Sequence, residues 1–126
     1  MGDCVIIHKN TIEFSLAKDF SMYPGGRHYE DGEYSAECLK EHLLCILNTH
    51  KDKSIILNLD GTRGIGSSFL HELVAHTNDY MIDRIVFISE QKSYLQEFTS
   101  YNKNVKIHYI SNKETFWQRV RNIFYD

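Results

Sequence analysis

Residues 60–73, DGTRGIGSSFLHEL, bring an aspartate, an arginine, three glycines and two serines into nine positions and then turn apolar at helical spacing. The stretch follows the short apolar run SIILNL and reads as the end of a buried strand, a glycine turn and the start of a helix. In an open α/β sheet, groups at the carboxyl end of a strand are the ones free to meet a ligand. The first N–H groups of a helix have no intrahelical partner, and the positive end of the dipole adds to them, so this corner stabilises an anion. Ser67 and Ser68 fall there, beside Gly66, which permits close backbone approach. Two readings follow: the hydroxyls cap the helix, or one of them carries or adjoins a phosphate.

A phosphate needs counter-charge. Arg63 lies in the turn itself, and Arg27 and Tyr29 would join it if the irregular stretch 19–34, DFSMYPGGRHYEDGEY, folds over the same end of the sheet. The planar fork of arginine holds two phosphate oxygens at once. The plainer alternatives are a solvated loop charge at Arg63 and a pair between Arg27 and Glu30 or Asp31. Asp60 could bind a metal or act as a base, but aspartate also closes turns on nearby N–H groups, and turn-making is the favoured reading.

Other constellations carry less. The glycines match neither the phosphate loop GxxxxGK[ST] nor the dinucleotide GxGxxG. Cys38, His42 and Cys45 recur at i, i+4 and i+7 along one side of a helix, as three metal ligands would. That side borders the apolar stripe Leu39, Leu43, Ile46, so both thiols are expected in the core. His71 and His76 do not form HExxH, and no GxSxG elbow surrounds Ser67 to make a nucleophile of it with His71. The pattern thus implies no metal, no cofactor and no catalytic residue.

These residues must be positioned by a small fold. The 126 residues, 42% of them hydrophobic, suffice for one domain, 1–126, with a real core. The net charge of -3 argues against a dedicated nucleic-acid binder. Residues 101–126 hold five lysines and arginines against two acids, a solvated terminal helix or a surface for an acidic partner. Three cysteines without a CxxC pair fit reduced thiols. No long apolar segment or cleavage pattern is present, and Ile6 stands where a myristoylation signal wants serine or threonine. A soluble, cytoplasmic protein is expected.

Along the chain, CVIIHK and TIEFSLA read as strands of a hairpin joined by Lys9-Asn10. Ser35 caps a helix to about Asn48, with Leu39, Leu43, Ile46 and Leu47 inward. SIILNLD, IDRIVFIS and NVKIHYIS read as strands, and SSFLHELV, SYLQEFTSY and KETFWQRVRNIFY as helices, the last burying Phe116, Trp117, Val120, Ile123 and Phe124. The order ββαβαβαβα predicts an α/β fold: a small open, mostly parallel sheet with an antiparallel N-terminal hairpin.

ILNLDGTRGIGSSFLHEL resembles the signature of STAS domains, the family of anti-sigma-factor antagonists, in which a strand LxLSGVxxID precedes SSGL at a helix start. Leu57, Leu59, Gly61, Ile65, Ser67, Ser68 and Leu70 fall on equivalent positions. GGRHYEDGEYSAECLKEHLL together with LDGTRGIGSSFLHEL is similar, more narrowly, to a bacterial STAS-like domain of unknown function, over roughly residues 12 to 88. The resemblance implies a regulatory, non-enzymatic module. Its partner would be a histidine-kinase-like ATPase that doubles as an anti-sigma factor and phosphorylates the first serine of the pair, here Ser67. Gly66 stands where antagonists carry an aspartate, and Phe69 where they carry a glycine. A module of another class, a sensor of nucleotides or phosphorylated small molecules, would use the glycine turn, Arg27, Tyr29 and Arg63.

Overall fold

Alternation of Ile12 and Phe14 with Glu13 and Ser15 produces a strand with one fully buried face, and the unbroken apolar runs further on produce strands buried on both. The structure, a computed structural model, describes residues 6, 7, 10–75 and 81–110. Four parallel strands, β2 (Thr11–Ser15), β3 (Ser54–Asn58), β4 (Ile85–Ser89) and β5 (Lys106–Tyr109), lie side by side in chain order. A two-residue segment, β1 (Ile6–Ile7), runs antiparallel beside β2. One row of the register reads Phe14, Leu57, Phe87, Ile107 across the sheet.

Helices α1 (Ala36–Thr49), α2 (Ser67–Val74) and α3 (Lys92–Tyr101) fill the three crossovers. Strands in sequential order joined by crossovers of one hand put every helix on the same face. Accordingly Phe14, Leu57 and Phe87 share a single core with Leu39 and Leu43 of α1, Leu70 and Leu73 of α2, and Leu95 and Phe98 of α3. Ile56, Val86, Ile88 and Ile110 form a second buried cluster. Burial on both faces explains why β3 and β4 are so continuously apolar.

The α1 helix begins as expected, with the Ser35 hydroxyl accepting from the Cys38 N–H at 3.3 Å. Its cysteines are not in the core: Cys45 is exposed and Cys38 half-buried, because Ala36, Leu39, Leu43 and Leu47 take the inward face. His42 is exposed and meets the Phe14 ring edge-on. The strand expected from residue 82 starts at Ile85. A 3-10 turn, Ile82–Arg84, precedes it and aims the Arg84 guanidinium at the carbonyls of Leu47, His50 and Lys53, satisfying the last turn of α1. Of the expected strand CVIIHK only Ile6–Ile7 is described, and the expected closing helix 113–125 lies outside the described residues. Among the described residues no helix is long and apolar enough to cross a membrane.

Candidate functional site

At the carboxyl end of β3 the chain turns on its own side chains. Asn58 Oδ1 accepts the Asp60 N–H at 2.9 Å, and the Asp60 carboxylate reaches across to β4. There Oδ1 accepts the Ser89 hydroxyl at 2.6 Å and Oδ2 accepts the Glu90 N–H at 2.8 Å. Ser89 Oγ in turn accepts the N–H of Gln91, the capping position of α3. Asp60 therefore fastens two strand ends and the start of a helix; the side chain that closes the local turn is that of Asn58, whereas the Asp60 carboxylate expected to bond nearby N–H groups bonds Ser89 and Glu90 instead.

The glycine turn follows. Gly61 has φ +95°, and a Cβ there would stand 3.2 Å from that of Ala17, in the π-helical turn Leu16–Phe20. The Arg63 N–H donates to the carbonyl of Met22 at 2.8 Å, so the 19–34 stretch does meet this turn, while the Arg63 side chain is exposed. The capping position of α2 is Gly66, with φ -78° and ψ 159°, and among the described residues no side chain caps the helix. This corrects the expectation of a serine cap: Ser67 is already the first helical residue, so its backbone lacks the extended geometry a cap requires. Ser67 and Ser68 are both exposed, and neither hydroxyl bonds to another described residue.

Arg27 and Tyr29 go elsewhere. Gly26, at φ +91°, lets Asp31 pack so closely that a Cβ would lie 2.6 Å from the Asp31 Cβ. Asp31 Oδ2 accepts the N–H groups of both His28 and Arg27, which hold its carboxyl below the usual range. The Arg27 guanidinium instead extends to α2, 2.9 Å from His71 Nδ1 and 3.6 Å from Glu72 Oε1. Glu72 is 2% exposed and is also held by Lys40 of α1 at 2.8 Å. The His71 ring stacks on Tyr101 of α3, with centroids 4.0 Å apart. Tyr29 lies over α1: its N–H donates to Glu37 and its hydroxyl to Glu41 at 3.0 Å.

Arg27 is thus brought to the helix that Ser67 and Ser68 open, one turn beyond them, since residues four apart share a face. Its side chain does not pair with Glu30 or Asp31. Sequence reasoning missed Lys40, His71 and Glu72 as its surroundings. One signal was present: Glu72 is three residues from Phe69, on the flank of the stripe that the core consumes.

Among the described residues two further acidic groups bear on this corner. His28, Glu37 and Glu72 present donor atoms within 4.8 Å of one another, but a metal ion there would compete with Lys40 and Arg27 for Glu72. Beside Gly61, a cleft of about 610 Å³ is lined by Glu13, Asp19, Asp60 and Glu90, with Lys18 as its cation. Asp19 Oδ1 is buried there without a hydrogen-bond partner. Such a lining repels phosphate groups. Comparison with models of known families, with curated proteins and with solved structures gives no match.

Proposed function

We propose that this chain is a regulatory, non-enzymatic module of STAS-like fold that binds an ATPase-type protein partner in the cytoplasm and is controlled by phosphorylation of Ser67. The full fold of that proposal is ββαβαβαβα with an antiparallel N-terminal hairpin. The observation that carries it is the exposed Ser67 hydroxyl, at the first position of an uncapped eight-residue helix and free of any bond within the described residues. A hydroxyl engaged in the fold would have to break a bond to accept a phosphoryl group, and this one does not. Once formed, a phosphoserine at a helix N-terminus is stabilised by the dipole and the free N–H groups, and exposed Arg63 lies in the same turn. The resemblance of LDGTRGIGSSFLHEL to antagonist signatures supports the same residue. The carboxylates of the cleft beside Gly61 weigh against a nucleotide sensor at this corner.

Co-purification of the ATPase-type partner from host cells tests the switch. Ser67→Asp, which adds charge at the docking helix, weakens capture, whereas Ser67→Ala retains it. Equal capture by both variants removes the switch.

A further inference from the structure

The two cations of residues 27–40, in the second half of the 19–34 loop and the start of α1, both reach to α2. Lys40 is paired with buried Glu72, its side chain 12% exposed, and Arg27 bridges His71 and Glu72. No other lysine or arginine stands between them in the sequence. The outer side of that loop is left acidic and aromatic. Tyr29 and Tyr34 are 54% and 44% exposed, Glu30, Asp31 and Glu33 are exposed between them, and exposed Glu41 adjoins from α1.

This surface is held in place. The Tyr29 hydroxyl donates to Glu41, the Gly25 N–H donates to the Tyr34 carbonyl, and the Tyr34 ring meets Phe20 edge-on at 5.6 Å. The hydrogen bond to Glu41 pushes the Tyr29 phenol above its ordinary range, with desolvation and the neighbouring charges of Glu41 and Glu37 adding to it. Tyrosine rings ordered before binding give contact area at little entropic cost.

We propose that the face formed by Tyr29–Tyr34 and Glu41 docks an arginine-bearing basic segment of the partner protein. A guanidinium can stack on a tyrosine ring while its fork pairs with the carboxylate next to it, which an ammonium group cannot match. The inference rests on the reading of the chain as a protein-interaction module and names the chemistry of what it binds. It is separate from the Ser67 switch: the face attracts by charge, and a phosphate on Ser67 acts at the first turn of α2.

The test is fluorescence anisotropy at low salt with labelled peptides of seven arginines and of seven lysines. The arginine peptide binds saturably and more tightly than the lysine peptide. Glu30→Gln/Glu33→Gln weakens it about tenfold, as two exposed charge pairs allow. Tyr29→Leu/Tyr34→Leu weakens it by about fivefold or more with no change of charge, through loss of the stacked rings. Glu90→Gln, in the cleft beside Gly61, leaves the affinity unchanged. The proposal is overturned by absence of saturable binding, by tyrosine variants that bind like the unaltered protein, or by Glu90→Gln weakening the peptide as much as the paired substitution. Failure of the peptide while Ser67→Asp still releases the partner overturns only the docking face. Peptide binding alongside partner capture that ignores Ser67→Asp overturns only the switch.

Discussion

Asp60 and Ser67 stand seven positions apart at the carboxyl side of the sheet, and their surroundings are opposite. Both oxygens of Asp60 accept hydrogen bonds from the end of β4 and the residue beyond it, whereas the Ser67 hydroxyl bonds to nothing described and lies in solvent. The contrast recurs within α2. Glu72, five residues after Ser67, is buried and drawn on by Lys40 and Arg27. A polar group closed upon the fold reports on stability, and one left open at a helix start is available to chemistry and partners. Residue type alone does not separate the two, since both Asp60 and Ser67 are turn and cap formers.

Substitutions sharpen this division. The largest effect belongs to Glu72→Gln, which removes the buried carboxylate shared by Lys40 and Arg27; loss of the charge from such a buried pair costs about 3–5 kcal/mol, read as a fall in urea midpoint. Glu72→Leu/Lys40→Leu recovers much of that loss. Asp60→Ala comes next, at about 1–3 kcal/mol, because the Ser89 hydroxyl and Glu90 N–H lose their acceptor. Asp60→Asn keeps part of the clamp and falls between. Ser67→Ala is the smallest, within about 0.5 kcal/mol, as for surface substitutions that break no bond. If Ser67→Ala destabilised as much as Asp60→Ala, the division would collapse.

Much of this arrangement is legible in the sequence where the signal is local. The apolar runs of β3 and β4 announce burial on both faces, and Ser35 before the Leu39, Leu43, Leu47 stripe marks the start of α1. The boundary of β4 escapes because Arg84 is recruited to carbonyls over thirty positions earlier. The capping residue of α2 escapes because glycine and serine both suit the position, and only backbone angles choose between Gly66 and Ser67. The destination of Arg27 is the least legible. Its partners lie 44 and more positions away, and acids stand much nearer in the chain. Periodicity describes one element at a time and says nothing about which loop crosses which helix.

The most direct measurement is a phosphopeptide map of the purified protein after incubation with ATP and a lysate of its own host. The account predicts phosphate on Ser67, with Ser68 and the residues around Asp60 unmodified. An unmodified Ser67, in a reaction where other proteins in the lysate are labelled, would contradict it.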